Sequence, residues 1–311
     1  MKDFSIKNQK KVVSMNNAYT YEVLQKNIIY LKEKYPFLKV SQIGFSTEKR
    51  KLYSIQLGNG VRRVSYNGSH HANEWITTVL LMRWIERMSK AYVKKEKIKG
   101  YDIAKLWNKV TIDIIPMVNP DGVNLVLRGI QQKSPYYQKI LHWNGGSTNF
   151  QNWKANIRGV DLNRNYSAAW KEYKEIEREI GVIGPGPAFY AGAYPESEPE
   201  SKALADYTRN NDIDLVLAYH SQGEVIFWDF KNLQPSKSFT IAKRFSEVSG
   251  YDLAQPNYYQ IAAGYKDWFI QEFRKPGYTI EVGKGVNPIP IMQLSDIYNK
   301  NEELLILASL L

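Results

Sequence analysis

The stretch Gly68-Ser69-His70-His71-Ala72-Asn73-Glu74-Trp75 follows a β-type run, Val61 to Tyr66, and precedes a helix-type run, Ile76 to Met88. A histidine that ends a strand or turn and a glutamate that opens a helix two residues further on can reach one metal ion. Each donor atom would then lie about 2.0–2.2 Å from zinc. Taken alone, such a glutamate is equally a helix N-terminal acid favoured by the macrodipole. The scarcity of histidine narrows the choice, because the chain has four: His70, His71, His142 and His220. His142 reads as lying in a Gly/Ser/Asn-rich loop, Asn144 to Asn149, whereas His220 ends the apolar run Ile213 to Tyr219. Catalytic and binding groups of α/β sheets gather where strands end. The expected site is therefore His71, Glu74 and His220, with water in a fourth position. The chain contains no cysteine, so any metal here must use histidine and carboxylate.

The surrounding sequence gives this site a substantial scaffold. With 311 residues, 43% of them hydrophobic and 13% aromatic, a large core can be buried. No composition break or internal repeat divides the chain. The reading is a mobile N-terminal extension over residues 1–18 and one domain over residues 19–311. The net charge of +11 favours encounter with polyanions: nucleic acid, an anionic membrane, or a wall rich in phosphate and carboxylate. Part of that charge lies in Lys94-Lys95-Glu96-Lys97-Ile98-Lys99, which reads as a solvated helix end. No secretory h-region and no apolar run of membrane-spanning length is present. The expected location is cytoplasmic, with cell-wall or spore association as the alternative.

Along the chain, Thr20 caps a helix bearing Leu24, Ile28, Leu31 and Tyr35 on one face, and Pro36 ends it. Val40 to Phe45 and Leu52 to Leu57 read as strands. Val110 to Met117 reads as a buried strand running into a turn, Asn119-Pro120-Asp121-Gly122. Val123 to Gly159 lacks a clean period, which in a compact domain marks a segment that lines a site or moves. Ser197 and Glu200 read as a capping box for a helix to Arg209. The strand before His220, a helix from Phe239 to Ser249, a strand from Tyr278 to Val282 and a closing helix from Asp296 to Leu310 complete the pattern. Strands alternating with helices predict a three-layer α/β/α domain. Two acids sit in strand-end contexts suited to a general base, Glu281 and Glu224.

Six ordered motifs carry a resemblance. They are His71-Ala72-Asn73-Glu74-Trp75, Asn119-Pro120-Asp121-Gly122, Gly159-Val160-Asp161-Leu162-Asn163-Arg164-Asn165, Pro195-Glu196-Ser197-Glu198-Pro199-Glu200, His220-Ser221-Gln222-Gly223 and Tyr278-Thr279-Ile280-Glu281-Val282-Gly283. In these the chain resembles the zinc carboxypeptidases, and within them the γ-D-glutamyl-meso-diaminopimelate peptidases of endospore-forming bacteria. The resemblance implies a mixed, eight-stranded sheet, one zinc ion per chain, and hydrolysis of the γ-D-glutamyl bond to diaminopimelate in peptidoglycan stem peptides. The substrate so implied is a peptide, not nucleic acid. A general metallocarboxypeptidase acting on α-linked C-terminal residues is one alternative, and a non-catalytic binder of anionic polymers is another.

The resemblance also implies roles for particular residues. It selects Glu281 as general base. Asn163 and Arg164 grip the free carboxylate of the released residue, and Tyr259, with Tyr258 as its neighbour, folds over bound substrate. Lys154 stands where relatives place an oxyanion-holding arginine, with Arg158 nearby. Seven residues beyond Tyr259, Lys266 falls at the pocket floor, where a cation suits a leaving residue carrying a second carboxylate; pairing with Asp267 at the surface is the other reading. A cis peptide between Ser221 and Gln222 is implied as well.

Overall fold

The computed structural model describes residues 11–14, 17–255 and 262–311. Among these residues one eight-stranded sheet organises the chain, in the order β1-β2-β6-β3-β7-β10-β8-β9. The strands are β1 (Lys39–Phe45), β2 (Lys51–Gly58), β3 (Arg62–Gly68), β6 (Val110–Ile115), β7 (Leu215–His220), β8 (Val225–Phe227), β9 (Asp252–Ala254) and β10 (Gly277–Glu281). A separate two-stranded ladder joins β4 (Lys97–Ile98) to β5 (Tyr101–Asp102). The centre, β6-β3-β7-β10, is parallel, whereas β2 and β8 pair antiparallel to its two flanks.

Ten helices lie among the described residues: α1 (Tyr21–Lys34), α2 (Ile76–Lys94), α3 (Ile103–Trp107), α4 (Pro120–Arg128), α5 (Tyr137–Trp143), α6 (Trp170–Glu179), α7 (Pro199–Arg209), α8 (Lys237–Ser249), α9 (Tyr265–Phe273) and α10 (Leu294–Leu310). Both sheet faces are covered, and the two-residue alternation of side chains shows which helices cover each. On β7, Leu215, Leu217 and Tyr219 enter one core with residues of α2, α8 and α10. Val216 and Ala218 enter the other, with Leu204 and Ala205 of α7 and Tyr265, Trp268 and Phe269 of α9. Sheet between two helical layers is the expected three-layer α/β/α architecture, and burial on both sides accounts for the continuous apolar run of β7 from Leu215 to Tyr219.

The topology creates the functional edge. From β3 the chain crosses through α2 to β6 on one side, and β7 later joins the other side of β3. The order reverses at β3, so a crevice opens beyond the carboxyl ends of β3 and β7. Gly68 is required there: a Cβ at that position would lie 2.9 Å from Thr77 Oγ1 and 3.1 Å from Leu81 Cδ1, where α2 packs against the strand.

Several local expectations are corrected. Asn119-Pro120-Asp121-Gly122 is the opening of α4 rather than a turn; Asn119 Oδ1 accepts from Gly122 N at 3.0 Å and Pro120 occupies the first helical position. The Ser197–Glu200 capping box does not form. Glu198 is the N-cap of α7, Ser197 Oγ donates to Glu198 Oε1, and Glu200 Oε1 accepts from Thr47 N at 2.7 Å, tying α7 to the β1–β2 loop. His142 belongs to the last turn of α5. Within the start expected to be mobile, the described residues Val12 and Val13 donate backbone N–H groups to Glu86 of α2 at 2.8 and 3.1 Å, and Val13 is fully buried. Among the described residues no helix is long and apolar enough to cross a membrane.

Candidate active site

The chain leaves β3 through Ser69, whose left-handed backbone (φ 52°) turns it sharply. Thr77 Oγ1 accepts from Ser69 N at 2.8 Å, and Ser69 Oγ lies 2.7 Å from Thr78 Oγ1, so the turn is bolted to the first turn of α2. A short 3₁₀ turn, Ala72–Glu74, follows. Its entry is fixed by Ala72 N donating to Lys154 O at 2.9 Å. His71 and Glu74 thus face the same way, and the parallel pairing of β3 with β7 brings His220 alongside them.

His71 Nδ1 is 2.8 Å from Glu74 Oε1, and His220 Nδ1 is 2.9 Å from Glu74 Oε2. One donor atom from each of the three residues lies within 4.8 Å of the others, and all three side chains are buried. Burial alone would raise Glu74, but the two imidazoles hold its carboxyl well below the usual carboxylate range. Two imidazole nitrogens and a buried carboxylate, open on the remaining side to a cavity of about 690 Å³, match the three-ligand donor set of a catalytic zinc site. The expected trio is therefore brought together and is consistent with one metal ion. His70 is not part of it: its Nε2 lies 3.0 Å from Tyr166 Oη, and burial together with His220 and His71 holds its pKa well down.

Glu281 ends β10 in register with His220 and lines the same cavity. Desolvation, reinforced by the Glu74 carboxylate and opposed by Lys154, pushes its pKa up to about 8. The competing acid, Glu224, is neutralised by Lys284 at 3.1 Å and Lys300 at 2.5 Å and does not line the cavity. Lys154 lines the cavity with Nζ 3.8 Å from Glu74 Oε1. Arg158 does not; it is half exposed and lies 3.4 Å from Glu198 Oε2.

Asn163 and Arg164 line the same cavity. Arg164 lies over the Tyr173 ring at 5.1 Å, donates through Nη1 to Asn163 O at 2.9 Å, and keeps a buried Nε without a hydrogen-bond partner. Asn163 Oδ1 accepts from Tyr265 N at 3.0 Å, which ties the wall to the start of α9. Lys266 lines the cavity too and is paired with Asp267 at 2.5 Å. That pair is inside the cavity and not at the surface, each residue being 5% exposed. The Ser221–Gln222 peptide is cis, and Ser221 N donates to Glu74 Oε2 at 3.2 Å. Tyr258 and Tyr259 lie outside the described residues.

Two residues had no role in the sequence reading. Asp161 Oδ1 lies 3.1 Å from His71 Nε2, a carboxylate partner that would hold the ring proton on Nε2 and free Nδ1 for a metal ion. Its signal was its place at the head of the Asp161-Leu162-Asn163-Arg164 stretch. Asn287 donates to Glu74 Oε1 at 3.4 Å and to Ser221 O at 2.5 Å from a loop with no periodic pattern to mark it.

Fold and site together define a metallohydrolase class, and comparison gives the family. The family model described as zinc carboxypeptidase matches residues 24–305, and the chain belongs to that family. It is 43% identical to the gamma-D-glutamyl-L-diamino acid endopeptidase 1 of Lysinibacillus sphaericus over 93% of this chain and 72% of that protein. It is 36% identical to the uncharacterized protein YqgT of Bacillus subtilis (strain 168), over 94% of this chain and 77% of that one. Among solved structures, thrombin activatable fibrinolysis inhibitor superposes with a TM-score of 0.74 at 18% identity, covering 96% of this chain and 76% of that one, a likeness of fold.

Proposed function

We propose that the chain is a zinc metallopeptidase, with one zinc ion per chain, that hydrolyses the γ-D-glutamyl–meso-diaminopimelate bond of peptidoglycan stem peptides. The observation that carries the reading is convergence: His71, Glu74, a desolvated Glu281, Lys154 and Arg164 line one cavity, and His220 completes the donor cluster with His71 and Glu74. The 43% identity to an endopeptidase named for a γ-D-glutamyl-L-diamino acid bond supports the substrate class.

His71, Glu74 and His220 would hold the zinc ion, which when bound would supply Lewis acidity to the scissile carbonyl and to water. Glu281 accepts the proton of the attacking water at its carboxylate and passes it to the leaving nitrogen. Lys154 stabilises the developing oxyanion as a point charge rather than a planar fork. Arg164, with its free Nε, and Asn163 hold the terminal carboxylate of the leaving residue. Tyr259 closes over the substrate, as the family resemblance implies, and Lys266 receives the second carboxylate of diaminopimelate.

The test compares release of diaminopimelate from L-Ala-γ-D-Glu-meso-diaminopimelate with release of a terminal residue from an α-linked peptide. Preference for the γ-linked substrate is expected. Activity confined to the α-linked peptide would make the protein a general carboxypeptidase, and zinc-loaded protein inactive on both would leave only a binder of anionic polymers.

A further inference from the structure

The amino ends of the parallel strands, at the far end of the molecule from the crevice, form a basic pole. Val61 and Arg62 begin β3 there, Lys109 precedes β6, and α2 runs back from the crevice to stop at Lys94. The run Lys94 to Lys99 is only in part the helix end its sequence suggested, because Lys97 and Lys99 belong to the β4–β5 hairpin. Ile98 and Ile103 anchor the hairpin and α3 in the core, while Lys95, Lys97, Lys99, Lys105 and Lys109 are exposed. Nearby acids are taken by other groups. Glu96 pairs with Arg87 at 2.9 Å and with Lys94 at 3.8 Å, and Asp102 caps α3 by accepting from Lys105 N at 3.0 Å. Asp212 and Asp214, just before β7, pair with Lys275 at 2.5 and 3.5 Å. The five exposed lysines thus have no ion-pair partner among the described residues. A helix macrodipole accounts for cations at the end of α2 but not for those on a hairpin or before a strand. Lys99 and Gly100 make the two-residue turn of the hairpin, with φ of 50° and 84°. Asparagine suits the first of these positions better than lysine, so a charge is kept where the backbone favours another residue. The surface is convex: a Cβ on Gly100 would meet nothing within 4 Å, Val61 is fully exposed, and Val93 is exposed beside the lysines of α2. A polymer strand is gripped in a groove, whereas a convex basic surface with apolar tips fits a plane of anionic headgroups.

We propose that this pole docks the protein on an anionic lipid bilayer, with its lysine ammonium groups against the phosphates and Val61 at the interface. The inference is independent of the peptidase reading. Because β6, β3, β7 and β10 all run from the pole toward the crevice, docking turns the crevice away from the lipid and leaves it open to substrate. Each lysine near a charged leaflet strengthens partitioning roughly fivefold, so the five together reach on the order of a thousandfold. The attraction acts over about 8–10 Å at physiological salt and fades as salt rises.

The experiment is co-sedimentation of the full chain with vesicles of phosphatidylcholine, with and without about 30% phosphatidylglycerol. The wild type should bind the anionic vesicles only, and release them at high salt. Lys97→Gln, Lys99→Gln, Lys105→Gln and Lys109→Gln combined should weaken binding by at least about a hundredfold. The same change at Lys139, Lys171, Lys237 and Lys243, exposed lysines on other elements, removes equal charge and should weaken it less than about threefold. Lys99→Asn, which the turn accepts readily, should melt no lower than the wild type and still bind roughly fivefold more weakly. Since the chain has no cysteine, Val61→Cys can carry a single polarity-sensitive fluorophore, whose emission should shift to the blue on anionic vesicles. The same label at Val286→Cys, beside the crevice, should not shift. Equal binding to neutral vesicles, equal losses in the two lysine sets, or a shift at Val286 without one at Val61 would overturn the proposal. Tighter binding, per phosphate, of soluble long-chain polyphosphate would also overturn it, in favour of a polymer partner.

Discussion

Replacing Asp161 with asparagine changes one atom of a carboxylate that touches no metal, yet its consequence should be read at the metal. Asp161 is buried and accepts three hydrogen bonds, from His71 Nε2, Asn163 N and Phe189 N, each at 3.1 Å. Burial would raise it, but the His71 imidazole, followed by the Arg164 and Lys154 charges, holds it well below the usual carboxylate range. An amide cannot satisfy all three donors. With its oxygen toward His71, its NH₂ opposes the Phe189 N–H; with its NH₂ toward His71, it asks Nε2 to accept and so moves the ring proton to Nδ1, the atom needed for the metal. Loss of such an orienting partner weakens metal affinity about 10–100-fold, or roughly 1.4–2.7 kcal/mol. Competition against a chromophoric chelator at fixed pH measures this, with circular dichroism to confirm that the fold is kept. An affinity within about twofold of wild type in a folded Asp161→Asn protein would refute the orienting role.

Glu281→Gln should lower kcat by about 10²–10⁴-fold while zinc content stays at the wild-type level; comparable turnover would remove the general base. Arg164→Met should raise KM for substrates with a free terminal carboxylate and barely change the rate on a C-terminal amide, and equal effects on the two would return Arg164 to a structural place on Tyr173. Zinc removal should lower the melting temperature, since a ligand bound only by the folded chain stabilises by RT ln(1 + [L]/Kd), or about 4 kcal/mol at a thousandfold excess over Kd. Melting curves that coincide with and without zinc would speak against a bound ion.

What the sequence revealed, and what it hid, follows physical lines. The continuous apolar run of β7 and the amphipathic helices were legible because burial on a sheet imposes a period or its absence. The trio His71, Glu74 and His220 was legible because so few histidines exist and one ends an apolar strand. The opening of α4 was misread because Asn-Pro-Asp-Gly suits a turn and a proline-started helix equally well, and the deciding Asn119–Gly122 hydrogen bond is a matter of geometry. The capping box failed because Glu200 found a partner in Thr47, 153 residues away, which no local pattern encodes. Asp161 and Asn287 act on His71 and Glu74 through contacts across the fold. Pairing with Asp267 was foreseen for Lys266, but its burial in the cavity was not, since burial depends on where α9 is packed.

Metal content measured by atomic absorption, in parallel on wild type and on His220→Ala, bears on the core of the account most directly. The account expects one zinc per wild-type chain and a near-complete loss after dialysis of the variant, whose ligand comes from a strand 146 residues distant from Glu74. Full zinc retention without His220, or a wild-type protein that takes up no zinc when it is supplied, would contradict it.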